Sequence, residues 1–130
     1  MKILAIDDSP TIRELVVETL YEFGFNEMDT AVDGVDALEK IEQNNDGYDF
    51  FIVDINMPRM DGFELISNIR NKFDYMSTPI MVLTTERGDD MKQRGREVGA
   101  TSWIVKPFQK EKFIQGIHLT LEYVERNETY

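Results

Sequence analysis

Five short apolar runs, at residues 2–6, 27–31, 49–53, 80–84 and 102–105, alternate along the chain with stretches whose apolar residues recur at helical spacing. This alternation constrains the fold more than any other feature. Such runs are too short for helices, and strand followed by helix five times over folds most readily as a parallel sheet covered by helices on both faces. Its crossovers are expected to be right-handed. The run at 27–31, EMDTA, is weakly apolar and is assigned to a strand mainly by its place in the series.

The intervening stretches carry their own start and stop signals. Ser9-Pro10 supplies a cap and a proline at the first helical position, and Ile12, Leu15, Val16, Thr19, Leu20 and Phe23 share one face before Gly24 ends the helix. A second helix over 35–42 aligns Val35, Leu38 and Ile41 and leaves through Asn44-Asn45-Asp46-Gly47. A third over 63–72 turns Phe63, Ile66 and Ile69 inward, and a fourth over 89–98 is the least apolar, with Met91, Gly95 and Val98 among charges. The fifth, 109–124, bears the stripe Phe113, Ile117, Leu121 and Val124. The chain is expected to fray from 125 on, which gives one domain over 1–125 and a short tail over 126–130.

A length of 130 residues with 42% hydrophobic content supplies one core and leaves no room for a second domain. With 14 Lys and Arg against 25 Asp and Glu, the net charge of -11 speaks against direct nucleic-acid binding. The absence of cysteine excludes disulfides, thiolate metal sites and a Cys nucleophile. The apolar run at 3–6 is far too short for a signal peptide, and no window approaches a membrane span, so a soluble, cytoplasmic protein without membrane contact is expected.

The informative polar residues stand at the carboxyl ends of the apolar runs: Asp7 and Asp8 after the first, Asp54 after the third, Thr84 and Thr85 at the fourth, Lys106 after the fifth. In a doubly wound sheet these ends converge on one edge, where such folds bind ligands. Singly, each has a structural explanation. Asp8 could cap the first helix in place of Ser9, the threonines suit a strand end, and Lys106 could snorkel. Together they concentrate charge that calls for a ligand.

Three neighbouring carboxylates repel one another, and a hard divalent cation, Mg²⁺ or in its place Mn²⁺, resolves the conflict. Asp54 can then attack phosphorus as a carboxylate nucleophile and become an aspartyl phosphate, with the cation and Lys106 offsetting charge on the transferred oxygens and Thr84 donating its hydroxyl. The backbone carbonyl of Asn56 would serve as a third protein ligand beside Asp8 and Asp54, with Asp7 acting directly or through water.

The segments ILAIDDSP, FIVDINMPRMDGFELISNIR, IMVLTTE and GATSWIVKPF, in this order and spacing, resemble the receiver domain of two-component response regulators over residues 2–125. The resemblance implies a flavodoxin-like or CheY-like fold: a five-stranded parallel sheet of order 2-1-3-4-5 with five helices. It makes Asp54 the phosphoacceptor, Asp7 and Asp8 the acidic pair serving Mg²⁺, Thr84, followed by Thr85, the switch position, and Lys106 the phosphate-binding lysine. It also implies a cis bond before Pro107 and, at Gly62, a backbone conformation closed to residues with Cβ. Such a protein catalyses its own Mg²⁺-dependent phosphorylation and dephosphorylation while acting mainly as a signal.

In the family the switch hydroxyl moves toward the phosphoryl group and an aromatic residue of the fifth strand turns inward, which alters the face formed by the fourth helix, fifth strand and fifth helix. That aromatic is Trp103 here, where the family more often has Tyr or Phe, so the alternative is a fixed packing role. His118 is expected to lie away from the site. Asn56 and Glu86 are the pair seen in chemotaxis regulators of the CheY type, which implies water access to the acyl phosphate and fairly rapid self-dephosphorylation. The implied partners are a histidine kinase of the CheA type and an output protein such as a flagellar motor switch protein, with a monomer that could dimerise on phosphorylation. The alternatives are a phosphorelay receiver, or a receiver fragment of a DNA-binding transcriptional regulator. Outside the family, a phosphate-independent binding module and a metal-dependent phosphatase compete less well with this set of residues.

Overall fold

The computed structural model describes residues 1–73 and 75–128. Its elements are β1 (Lys2–Ile6), α1 (Pro10–Glu22), β2 (Glu27–Ala31), α2 (Gly34–Gln43), β3 (Phe50–Val53), α3 (Gly62–Lys72), β4 (Ile80–Thr84), α4 (Asp89–Val98), β5 (Ser102–Val105) and α5 (Lys110–Glu128). All strand pairs are parallel, and the sheet order is β2-β1-β3-β4-β5. This is the expected flavodoxin-like, CheY-like architecture.

Side chains alternate across the strands, so each strand feeds two cores. Leu4, Ile6, Phe51, Val53, Ile80 and Val82 face Ala37 and Ile41 of α2 and Phe63, Ile66 and Ile69 of α3. Ile3, Ala5, Phe50, Ile52, Met81 and Leu83 face Val16 and Leu20 of α1 and Phe113 and Ile117 of α5. The central strands β1, β3 and β4 are buried nearly end to end, which is why they read as continuous apolar runs. β2 lies at the sheet edge, pairs with β1 over all five residues and is exposed or half-buried except at Ala31. Its weak sequence signal follows from that position.

Caps set most helix starts. The Ser9 hydroxyl accepts from the Ile12 N–H at 3.3 Å, so Ser9 and not Asp8 caps α1. Asp33 and Asp61 cap α2 and α3, each of which starts one residue earlier than its apolar pattern. Gly24, at φ 95°, follows the end of α1 in a backbone region that disfavours any residue with Cβ. α5 continues past position 124 to Glu128, with no glycine or proline to stop it, and the Asn127 amide donates to the Tyr123 carbonyl in its last turn. The tail expected over 126–130 is therefore helical as far as 128, and positions 129 and 130 lie outside the described residues. No helix among the described residues is long and apolar enough to cross a membrane.

Candidate functional site

The sheet ladder runs one residue past three strand ends. The Asp7 N–H donates to the Ala31 carbonyl at 3.1 Å, the Asp54 N–H to that of Ile6 at 3.0 Å and the Lys106 N–H to that of Thr84 at 2.8 Å. Backbone pairing thereby fixes the origin of each side chain at the carboxyl edge. β1 sits between β2 and β3 at the point where the chain reverses its direction of winding, the expected ligand crevice of such a sheet.

Into this crevice Asp7, Asp8 and Asp54 bring carboxylate oxygens that lie within 4.8 Å of one another. The Lys106 ammonium stands 2.6 Å from Asp7 Oδ2 and 3.2 Å from Asp54 Oδ2. Lys106, Asp7 and Asp54 are about nine-tenths sealed from solvent, whereas Asp8 is exposed. Local donors fix the remaining oxygens: the Ser9 N–H donates to Asp7 Oδ1 at 2.9 Å and the Ile55 N–H to Asp54 Oδ1 at 2.7 Å. Arg13 holds the base of the cluster by donating to the Asp7 carbonyl at 2.7 Å.

Burial pushes the Asp54 carboxyl above its usual range, and the neighbouring Asp7 charge adds to the rise; Lys106 and the Thr84 hydroxyl oppose it. Among the described residues the Lys106 ammonium is the only cationic group in direct contact with any of these three carboxylates, so the cluster keeps a net negative charge that a divalent cation would offset. The donors are all oxygen and one carboxylate is open to water, the chemistry that suits Mg²⁺. The cluster can therefore hold a divalent metal ion.

Thr84 is fully buried, and its hydroxyl accepts from the Glu86 N–H at 3.3 Å. Thr85 is exposed beside it. The Asn56 side-chain amide donates to Glu86 Oε1 at 2.8 Å, so these two residues meet across the outer edge of the crevice. The bond between Lys106 and Pro107 is cis. Trp103, half-buried, donates its indole N–H to the Glu86 carbonyl at 3.0 Å and lies 6.4 Å from the Phe63 ring. His118 is exposed on α5 with its ring 6.0 Å from that of Phe25, away from the acidic cluster. A groove of about 660 Å³ along β2, lined by Lys2, Met28, Asp29, Lys40 and Tyr48, contains none of these residues.

One expectation fails in its reason. Gly62 does not occupy the left-handed region; the residue that does is Arg59, at φ 67°. Gly62 is required by space, because a Cβ there would lie 2.3 Å from the Asp54 carbonyl oxygen and 2.8 Å from Ile55 Cα. Sequence reasoning also missed Asp33, which is buried and accepts two hydrogen bonds from Arg59. The aspartate three residues before Asp36, ahead of an apolar helical stripe, was a readable cap signal. Its pairing with Arg59 had no sequence signal.

Residues 3–118 match the family described as the response regulator receiver domain. The chain is 40% identical over 117 residues to Protein PilG of Pseudomonas aeruginosa, covering 90% of this chain and 84% of that protein. It is 34% identical over 121 residues to the Chemotaxis protein CheY1 of Helicobacter pylori, covering 93% and 97%. Among solved structures, the chemotaxis protein CheY4 of Vibrio cholerae superposes with a TM-score of 0.84 at 44% identity, covering 92% of this chain and 97% of that one. Asp7, Asp8, Asp54 and Lys106 correspond to the acidic and lysine cluster at which receivers of this kind are phosphorylated.

Proposed function

Because this chain belongs to the response regulator receiver domain family, we propose that it is a phosphorylation-activated switch that takes a phosphoryl group from a histidine kinase onto Asp54. The observation that carries this reading is the Asp54 carboxylate, sealed from solvent, with the Lys106 ammonium 3.2 Å away and two further carboxylates beside it. A carboxylate oxygen of Asp54 attacks the phosphorus of a phosphohistidine. The P–O bond to Asp54 forms as the P–N bond breaks, and the electron pair leaves on the imidazole nitrogen. Lys106 offsets charge on the transferred oxygens, and the Thr84 hydroxyl, on moving toward them, donates to one.

Asp8, Asp54 and the Asn56 carbonyl would hold Mg²⁺, with Asp7 serving directly or through water. When bound, that ion supplies a Lewis acid for the phosphoryl oxygens. Return to the resting state is attack of water on the acyl phosphate, with the Asp54 carboxylate as leaving group. The Asn56–Glu86 contact at the outer edge of the crevice would govern the approach of that water in this reading. Thr85, after the switch threonine that ends β4, and Pro107, after the lysine, shape the turns that follow Thr84 and Lys106.

The output surface in this reading is the face of α4, β5 and α5. Glu86 joins Thr84 to Trp103, which borders that face. The similarity to chemotaxis proteins supports a kinase of the CheA type as phosphodonor and a flagellar motor switch protein as target, in the cytoplasm, with the chain acting as one receiver domain. The test is phosphotransfer from a purified, phosphorylated histidine kinase of that type, followed by titration of the flagellar switch protein with and without beryllofluoride. Transfer together with analogue-dependent binding supports the reading. Transfer without any change in binding removes the flagellar target and leaves a phosphorelay or transcriptional receiver.

A further inference from the structure

The segment between β3 and α3 carries Asn56, and three contacts pin it. At its base the Gly62 N–H donates to the Ile55 carbonyl at 2.8 Å. On the side facing β4, Asn56 reaches Glu86. At its tip the Met60 N–H donates to the Pro58 carbonyl at 2.7 Å and closes a three-residue turn centred on Arg59. Arg59 has φ 67°, a left-handed conformation that is unfavourable for a residue with Cβ, and no other non-glycine among the described residues has positive φ.

The Arg59 side chain accounts for the persistence of this turn. Its Nε donates to Asp33 Oδ2 at 2.7 Å and its Nη2 to Asp33 Oδ1 at 2.9 Å, a two-pronged charged contact. Asp33 is a fixed anchor: it is 3% exposed, and its Oδ1 also accepts from the Asp36 N–H at 2.9 Å as the cap of α2. The neighbouring Met60 lies against Gly34, so closely that a Cβ on Gly34 would come within 2.7 Å of it. Consecutive loop residues thus dock on consecutive residues at the start of α2, opposite the Asn56–Glu86 contact.

We propose that Arg59 is a positioning residue for the divalent cation: by clamping the loop onto Asp33 it holds the Asn56 carbonyl beside Asp8 and Asp54. This rests on the reading of that cluster as the cation site. The clamp and simple electrostatics predict opposite signs. Removing a positive charge near a cation site strengthens cation binding by Coulomb's law, whereas releasing the loop weakens it. The contact between Arg59 and Asp33 lies outside the cluster that contacts the ion, as do the outer-shell groups that orient metal ligands elsewhere.

The experiment is a Mg²⁺ titration of the unphosphorylated full chain followed by amide NMR shifts, with the thermal midpoint of each variant measured alongside. Arg59→Gly is the decisive variant because it removes the clamp and relieves the turn. Arg59→Ala removes the clamp alone, and Arg59→Lys restores a charge without the two-pronged geometry. The expected result is about tenfold weaker Mg²⁺ binding in Arg59→Gly and Arg59→Ala, partial recovery in Arg59→Lys, and a midpoint for Arg59→Gly no lower than that of Arg59→Ala. Unchanged or tighter Mg²⁺ binding in folded Arg59→Gly overturns the proposal. Asp33→Asn, which keeps the helix cap, serves as the second variant and must also weaken binding. Wild-type binding that survives both Asp8→Asn and Asp54→Asn would instead overturn the cation-site reading itself.

Discussion

The Trp103 indole N–H donates to the main-chain carbonyl of Glu86 at 3.0 Å. The same Glu86 gives its N–H to the Thr84 hydroxyl at 3.3 Å and accepts at its carboxylate from Asn56 at 2.8 Å. One residue therefore contacts the buried hydroxyl beside Asp54, the outer edge of the crevice and the aromatic residue of β5. A shift of Thr84 toward a phosphoryl group on Asp54 would alter the Glu86 backbone and, with it, the seat of the indole.

That seat depends on Gly95, where a Cβ would lie 2.7 Å from the Trp103 ring. In Gly95→Ala the helix gains about 1 kcal/mol of propensity while crowding costs about 1–3 kcal/mol, so net stability falls by up to about 2 kcal/mol. The indole is displaced from Glu86. Trp103 is the only tryptophan in the chain, so its emission should shift to the red without phosphorylation; an emission spectrum identical to wild type would contradict this packing.

Gly62→Ala should be far more damaging. The added Cβ meets the Asp54 carbonyl oxygen at 2.3 Å and Ile55 Cα at 2.8 Å, and main-chain atoms at the end of a buried strand have nowhere to retreat. We expect a loss of about 3 kcal/mol in urea unfolding, together with slower phosphorylation because Asp54 itself must move. A variant that unfolds at the wild-type urea midpoint would show that the loop accommodates the group.

Asn56→Ala and Glu86→Ala each break the same contact at the edge of the crevice. Both should change the lifetime of the acyl phosphate several-fold and in the same direction, and the double variant should fall short of the product of the two effects. Decay of the phosphorylated protein, followed by mass, checks this; decay unaffected in both single variants would remove the pair from any part in hydrolysis.

Two carboxylates should give stability profiles of opposite sign against pH. Hydrogen bonds from Arg59, partly opposed by burial, hold Asp33 below its usual value of 3.8. Its contribution is complete above 3.8 and is lost as pH falls through the lower folded value, so the deficit of Asp33→Asn should hold steady above about pH 5 and close in acid. Burial raises Asp54 above 3.8, so the folded state takes up that proton first. Asp54→Asn should therefore stabilise most above the raised value and less as pH falls toward 3.8. Thermal midpoints across pH 3 to 7, in about half-unit steps, test both; parallel profiles for the two variants would refute the assignment.

The sheet, its helices and the crevice residues were legible because they follow from periodicity and from polar residues at strand ends. Asp7, Asp54, Thr84 and Lys106 could be placed together from topology alone, since each follows or ends an apolar run whose neighbours are fixed by the fold. Side-chain contacts between loops were not legible. Arg59 meets Asp33 only because one residue adopts a left-handed turn, and nothing in PRMDG marks which residue that is. Gly62 read as a conformational glycine and proved to be a steric one, a distinction that depends on where the Asp54 carbonyl points. The end of α5 was set too early because a charged surface helix without a stop signal looks like a fraying tail.

The central claim is that Asp54 accepts a phosphoryl group in a divalent-cation-dependent step. Its most direct test is the intact mass of the protein after brief incubation with a small-molecule phosphodonor and Mg²⁺, with Asp54→Asn and a chelator-treated sample alongside. The account predicts one added phosphoryl group in the wild type and none in either control. An adduct that persists in Asp54→Asn, or no adduct in the wild type at sampling times short enough to precede hydrolysis, would contradict it.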